Sequence, residues 1–173
     1  AEALRHAGYV HGARVHIQWI DSERITRENA AEILKDCQGI VVPGGFGNRG
    51  IEGKIFTAEY CRTHNVPYLG ICLGMQTAVI EFARNVCGMT DANSREFDET
   101  SAHKVIDFLP DQHAGIDMGG TLRLGAYPCA VQPGSKLYEC YGVPMISERH
   151  RHRYEFSNVF RDQLAAAGLS LSG

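Results

Sequence analysis

The stretch V-P-Y-L-G-I-C-L-G-M-Q, residues 66–76, decides the fold. Its short apolar run at 68–71 predicts a buried strand, and a helix with one apolar face is predicted from Met75 to Val86. Between them, G-I-C-L-G at 70–74 has the G-x-C-x-G form of a nucleophile elbow. That motif is a strand-to-helix turn so tight that small residues are needed on both sides of the nucleophile.

The elbow predicts a reactive cysteine at position 72. Such a turn presents the Cys72 sulfur at the carboxyl end of the sheet, beside the N-terminus of the following helix, where the helix dipole and free N–H groups favour the thiolate. The backbone N–H of Leu73 is then one expected donor of an oxyanion hole. The alternative is a buried structural cysteine whose neighbouring glycines serve only the turn.

A second glycine-rich loop follows another predicted strand. The apolar segment 39–42 ends in Pro43-Gly44-Gly45-Phe46-Gly47, which is too rich in glycine for a helix or a strand. Glycine lets the backbone approach a developing oxyanion closely, so Gly45 is predicted to supply the second oxyanion donor. A plain tight turn would also explain this loop.

The first half of the chain alternates predicted strands and helices. Strands are predicted at 13–20 and 39–42, and helices at 26–34 and 51–60, before the strand and helix that flank Cys72. This order predicts one α/β domain over residues 1–173, with an open, mostly parallel sheet covered by helices on both faces. In such sheets ligands bind beyond the carboxyl ends of the strands, where both glycine-rich loops fall.

The second half is less regular. Polar segments at 91–100 and 111–120 predict loops, and alternation from Thr121 to Val131 predicts a strand within a small β-hairpin insertion. A last helix is predicted to be capped by Ser157 and closed by Gly168, and residues 169–171 begin a further predicted strand.

Composition narrows the partners and the location. The net charge of −3 gives no electrostatic reason to expect nucleic acid or a membrane surface as a partner. Six cysteines without a C-x-x-C pair are typical of reduced thiols in a cytoplasmic protein. No metal site is predicted, because the closely spaced pair His150 and His152 has no cysteine partners at ligand spacing.

Several motifs together resemble a known family. The elbow at 70–76 and the loop at 43–47 resemble the class I (triad) glutamine amidotransferases, which have a flavodoxin-like fold. Three further stretches resemble the glutaminase domains of the CTP synthase family, and this resemblance covers essentially the whole chain: A-N-S-R-E-F at 92–97, M-G-G-T-L-R-L-G at 118–125, and E-R-H-R-H-R-Y-E-F at 148–156.

The resemblance implies hydrolysis of L-glutamine to glutamate and ammonia through a γ-glutamyl thioester on Cys72. Glu96 suits the α-ammonium group of glutamine, and Arg153 suits its α-carboxylate. The alternatives are a solvated loop charge for Glu96 and a basic face or phosphate site around Arg153. The family's glutamine-binding positions correspond to Gly45, Leu73, Gly74, Met75, Gln76, Glu96 and Arg153.

The resemblance also implies partners outside this domain. The domain itself needs no cofactor. A separate synthetase domain of the full-length chain, absent here, would use ATP and Mg²⁺ to aminate UTP with the ammonia. GTP is the expected allosteric activator, acting on a lid segment that includes Thr121 and Arg123, although a β-hairpin alone would explain the glycines there. The full-length protein is expected to be a homotetramer.

The sequence departs from the family in one respect. The catalytic base and its orienting carboxylate are expected in a His-Pro-Glu motif, which does not occur in these 173 residues. We therefore assign no base, and we expect this chain, lacking that strand and the first strand of the domain, to be impaired as a glutaminase. The alternatives are another triad amidotransferase, a γ-glutamyl hydrolase, or a catalytically inactive glutamine-binding module.

Overall fold

The computed structural model describes residues 1–108 and 123–173. Short 3-10 turns lie at Ser22–Arg24 and Asn158–Phe160. None of the helices in the described ranges has the length and apolarity needed to span a bilayer. The helices and strands are, in chain order, α1 (Glu2–Val10), α2 (Ala30–Leu34), β1 (Ile40–Val42), α3 (Ile51–His64), β2 (Tyr68–Gly70), α4 (Leu73–Asn85), β3 (Asn93–Ser94), β4 (Lys104–Asp107), β5 (Arg123–Ala130), α5 (Lys136–Tyr141), β6 (Met145–His152), β7 (Glu155–Phe156) and α6 (Arg161–Ala166).

Strands β1 and β2 are parallel and are joined through helix α3. Their register places Ile40 opposite Tyr68 and Val42 opposite Gly70. The N–H of Ile71 then donates to the carbonyl of Val42 at 2.9 Å, which prolongs the pairing by one step. Both strands end at the same edge of the sheet, so the glycine-rich loop after β1 and the elbow after β2 lie side by side, as predicted.

The glycines of the elbow are required by close backbone packing. A Cβ atom on Gly70 would lie 2.5 Å from the carbonyl carbon of Gly74, within the turn itself. A Cβ atom on Gly74 would lie 2.0 Å from the carbonyl oxygen of Val42 in β1. Because neither space admits a side chain, both glycines are needed for α4 to pack directly against the parallel strands.

Helix α4 lies at the centre of the larger apolar core. Its buried side chains pack with residues of α3, β4 and α6, and Leu169 packs against the same cluster. The members of this cluster are Ile51, Ile55, Leu73, Val79, Ile80, Ala83, Met89, Ala92, Val105, Ile106 and Leu164. A smaller cluster joins α2 to the outer face of α3 through Ile25, Ala30, Leu34, Tyr60 and Cys61.

The remaining strands form two further small sheets. In the first, β3 pairs parallel to β4, and β4 pairs antiparallel to β7. In the second, β5 and β6 are antiparallel from Arg123↔His152 to Ala130↔Met145, with α5 between them in the chain. The expected small hairpin is thus a longer two-stranded ribbon. Pro128 is tolerated in it because, among the described residues, each strand pairs on one side only.

Several local predictions differ from the structure, beginning with the helix predicted at 26–34, which extends only from Ala30 to Leu34. Residues 13–20 form no strand although their side chains alternate, because none of the described strands pairs with them. Trp19 in this segment is 80% exposed. The last helix begins with a 3-10 turn, and Ser157 makes no side-chain cap. Residues 169–171 form no strand; Leu169 instead contributes its side chain to the core.

Candidate active site

Cys72 has the strained backbone of a nucleophile elbow. Its φ of 56° and ψ of −110° lie in a region that side-chain-bearing residues rarely occupy. The turn is closed by the Gly74 N–H, which donates to the Ile71 carbonyl at 3.0 Å, and by the Gln76 N–H, which donates to the Cys72 carbonyl at 3.1 Å. The predicted strand-to-helix turn is therefore present, with Cys72 directly before the first residue of α4.

The loop after β1 lies against this cysteine. A Cβ atom on Gly44 would lie 3.3 Å from Cβ and 3.7 Å from Sγ of Cys72, and one on Gly45 would lie 3.2 Å from a methyl group of Leu73. The Leu73 side chain is buried in the core, so this residue offers the site only its backbone. Its N–H belongs to the first turn of α4, where helical N–H groups have no intrahelical acceptor.

A cleft of about 820 Å³ opens beside Cys72. Glu96 lies in it, with its Oε1 accepting a hydrogen bond from the Gly47 N–H at 3.2 Å. This bond ties the glycine-rich loop to the carboxylate predicted to meet the substrate's ammonium group. The lining residues are Gly45, Phe46, Cys72, Gln76, Glu96, Arg123, Leu124, Gly125, Arg149, His150, Arg151, His152, Arg153 and Tyr154.

Gln76 connects α4 to the segment that carries Arg153. The Gln76 side chain is buried, and its Nε2 donates to the Tyr154 carbonyl at 2.9 Å. The Tyr154 ring stacks on Phe108 with ring centroids 4.9 Å apart. These contacts tie α4 to the backbone next to Arg153, and the sequence did not predict them.

The other predicted binding positions on α4 contribute differently. The Gly74 carbonyl accepts hydrogen bonds from the Tyr68 hydroxyl at 2.7 Å and from the Thr77 hydroxyl at 3.0 Å. Met75 is exposed on the helix surface. Substrate contacts of Gly74 and Met75 therefore remain predictions from the resemblance, and Thr121 lies outside the described residues.

The wall opposite α4 is basic and comes from the ribbon β5–β6. Arg123 lies over the Tyr127 ring at 5.0 Å, and its Nη1 is 3.7 Å from Oε2 of Glu155. Burial, followed in size by the positive charge of Arg123, lowers the pKa of His150. The sequence did not single out Glu155 as a residue of the cleft wall. It follows His152 by three residues, and its Oε1 lies 3.2 Å from Nδ1 of His152.

Four of the described histidines have partners away from the nucleophile. His64 contacts the carbonyl of Tyr60, His103 pairs with Asp91, and His150 and His152 contact each other. None of the histidines in residues 1–108 and 123–173 has a hydrogen bond to Cys72.

Known proteins resemble this chain over its whole length. The family model for glutamine amidotransferase class-I matches residues 1–173. The chain is 57% identical to the CTP synthase of Listeria innocua over 172 residues, which are 99% of this chain and 32% of that protein. It is 58% identical to the CTP synthase of Carboxydothermus hydrogenoformans over 173 residues, which are 100% of this chain and 32% of that protein.

A solved structure supports the same relationship. The glutaminase domain of Trypanosoma brucei CTPS, solved with bound acivicin, matches with a TM-score of 0.90 and 40% identity, covering 99% of this chain and 66% of that chain. The predicted fold and the predicted resemblance are thus confirmed. The chain spans about a third of the length of the curated relatives it matches. By the family match over all 173 residues, the chain belongs to the class-I glutamine amidotransferases.

Proposed function

We propose that this chain is the glutaminase part of a CTP synthase and binds L-glutamine in the cleft beside Cys72. The observation that carries the proposal is the backbone of Cys72, which is strained at the start of α4 and lies against the Gly44-Gly45 loop. The curated relatives are named CTP synthases, and the larger reaction is the one that the family resemblance implies. There, a synthetase domain would use the released ammonia, together with ATP and Mg²⁺, to aminate UTP.

The proposed chemistry is acyl transfer through the cysteine sulfur. The Cys72 thiolate attacks the side-chain amide carbon of glutamine and forms a C–S bond. The N–H groups of Gly45 and Leu73 stabilise the resulting oxyanion, each such donor being typically worth about 3 kcal/mol. The C–N bond then breaks, and the nitrogen leaves as ammonia after gaining a proton. Water hydrolyses the γ-glutamyl thioester, which releases glutamate and restores the thiol.

The charged residues of the cleft fit the two ends of the amino acid. Glu96 presents a carboxylate for the α-ammonium group, and Arg153 presents a guanidinium for the α-carboxylate. Gln76 holds the Arg153 segment through the Tyr154 carbonyl. Arg123, on the opposite wall, is a candidate contact for the GTP-dependent stimulation expected of the family.

A covalent label tests the proposal directly. We expect acivicin, the compound bound in the trypanosomal relative, to modify Cys72. Mass spectrometry of peptides should locate the label there, excess glutamine should prevent it, and Cys72→Ala should abolish it. Cys140→Ala, which removes an exposed thiol elsewhere, should leave labelling unchanged. Equal labelling of several cysteines, or labelling that glutamine does not affect, contradicts a glutamine site at Cys72.

Labelling and turnover should differ in this chain. We infer slow turnover because these 173 residues contain no His-Pro-Glu motif and none of the described histidines has a hydrogen bond to Cys72. General base catalysis typically contributes about 10²-fold or more to a rate. We therefore expect this chain to release ammonia at least that many times more slowly than a longer chain that includes the His-Pro-Glu motif. Equal rates of ammonia release from the two chains would show that another group acts as the base.

The role of Glu96 can be separated from its structural hydrogen bond. Glu96→Gln keeps an oxygen that can accept from the Gly47 N–H but removes the charge opposite the substrate ammonium. Because a hydrogen bond to a charged group is worth about 1.5–3 kcal/mol, we expect about ten times more glutamine to be needed for half-protection against labelling. Glu99→Gln, at an exposed position nearby, is the control. Unchanged protection in Glu96→Gln would assign this carboxylate to the loop alone.

A further inference from the structure

Two imidazoles and a carboxylate converge in the basic wall of the cleft. His150 and His152 are two residues apart on β6, so their side chains lie on the same face of the strand. Glu155, at the start of β7, reaches the same point after the intervening turn. One ligand atom from each of the three side chains lies within 4.8 Å of the others.

The distances between these ligand atoms match those between neighbouring ligand atoms of a tetrahedral metal site. Nδ1 of His150 is 3.3 Å from Nδ1 of His152, which is 3.2 Å from Oε1 of Glu155. Ligand bonds of about 2.0–2.1 Å in a tetrahedral zinc site place neighbouring ligand atoms about 3.3 Å apart. A single ion could therefore reach all three groups with only small side-chain adjustments.

One of these ligand atoms, Oε1 of Glu155, lacks the hydrogen bond that a buried carboxylate oxygen normally has. Oε1 of Glu155 is buried and, among the described residues, has no hydrogen bond, although most buried polar atoms are satisfied. Arg123 approaches the other oxygen, Oε2, at 3.7 Å. The arginine thus lies on one side of the carboxylate, and Oε1 faces the imidazole of His152 on the other.

We propose that His150, His152 and Glu155 form a binding site for a divalent transition-metal ion of the zinc type. Two imidazole nitrogens favour such an ion over Mg²⁺ and Ca²⁺, which prefer oxygen ligands. Three protein ligands leave at least one coordination position free for water or for a group of a molecule in the cleft. The positive charge of Arg123 opposes the ion, so we expect moderate rather than very tight affinity.

Metal titrations test the site without using glutamine or enzyme activity. Calorimetry with Zn²⁺ and visible absorption with Co²⁺ should show one bound ion in the wild-type chain under reducing conditions. His152→Gln and Glu155→Gln should each raise the dissociation constant by about tenfold or more. His16→Gln removes an exposed imidazole outside the cluster and should leave binding unchanged. Zn²⁺ should also raise the melting temperature of the wild type more than that of Glu155→Gln.

The main alternative is that the metal ion binds to some of the six cysteines instead. Thiolate ligands give Co²⁺ a strong charge-transfer absorption in the near ultraviolet, whereas nitrogen and oxygen ligands do not. A spectrum dominated by that absorption, or a Zn²⁺ affinity unchanged in Glu155→Gln and His152→Gln, overturns the proposal. If circular dichroism shows that one of these two variants does not fold, the Zn²⁺ affinity of the other variant tests the proposal. Because the readout is metal binding, failure of the proposed glutaminase function would leave this test intact.

Discussion

Gly74→Ala should destabilise the protein by about 3 kcal/mol or more and prevent labelling of Cys72. The new methyl group would lie 2.0 Å from the carbonyl oxygen and 2.8 Å from the carbonyl carbon of Val42. These are backbone atoms of β1, so no side-chain rotation relieves the contact. Helix α4 must move away from the sheet, which disturbs the elbow and the core around it. Chemical denaturation measures the free energy, and acivicin labelling reports the site.

The matched control is another glycine with an ordinary φ and available space. A Cβ atom on Gly39 would lie 3.7 Å from the Pro67 carbonyl oxygen, which is normal van der Waals contact. We expect Gly39→Ala to change the free energy of unfolding by less than about 1 kcal/mol. Similar stability for Gly74→Ala and the wild type would show that α4 does not need this close approach to β1.

The elbow could be predicted because its requirements are local. Small residues on both sides of Cys72, an apolar run before it and a helix after it are all properties of neighbouring residues. The loop at 43–47 was predictable for the same reason, and the β1–α3–β2 order then placed both at one edge of the sheet. The structure adds the distances, such as the 2.0 Å between the Gly74 methyl position and the Val42 oxygen.

Features that depend on distant partners could not be predicted in this way. Residues 13–20 alternate like a strand, but a strand also needs a neighbour for its backbone, and the sequence of the segment itself does not show one. The substrate contact of Gln76 stays a prediction, but the hydrogen bond from its amide to a carbonyl 78 residues away was not predicted. The partnership of Glu155 with His150 and His152 likewise depends on how β7 follows β6.

The face of α4 shows the same limit. A helix with one apolar face was predicted from Met75 to Val86, yet Val86 is exposed while Ile80 and the polar Thr77 are fully buried. The reason is that α4 contacts α3 on one side and strands on the others, so most of its circumference is covered. A single apolar stripe identifies a helix that is covered on one face. For a helix at the centre of a fold, the stripe underestimates how many of its residues are buried.

Arg62→Ala should lower the free energy of unfolding by about 3 kcal/mol. The Glu81 side chain on α4 is only 2% exposed, and it is held by Arg62 of α3 through Nε and Nη2, the shortest contact being 2.7 Å. Without the guanidinium, the buried Glu81 carboxylate keeps only the hydrogen bond from the Asn85 amide among the described residues. Because the Arg62 side chain is itself 37% exposed, water can reach the space that it leaves. The loss of stability should therefore lie at the lower end of the range for breaking a buried ion pair.

Two further variants separate burial from simple attraction. Arg49 and Glu23 form an equally short pair at 2.6 Å, but their side chains are 79% and 42% exposed, so Arg49→Ala should cost less than about 1 kcal/mol. Adding Glu81→Gln to Arg62→Ala removes the stranded charge and should recover much of the lost stability. Denaturant unfolding of the four proteins, wild type included, measures these differences. Equal losses for Arg62→Ala and Arg49→Ala would mean that water, rather than the partner residue, solvates Glu81 between α3 and α4.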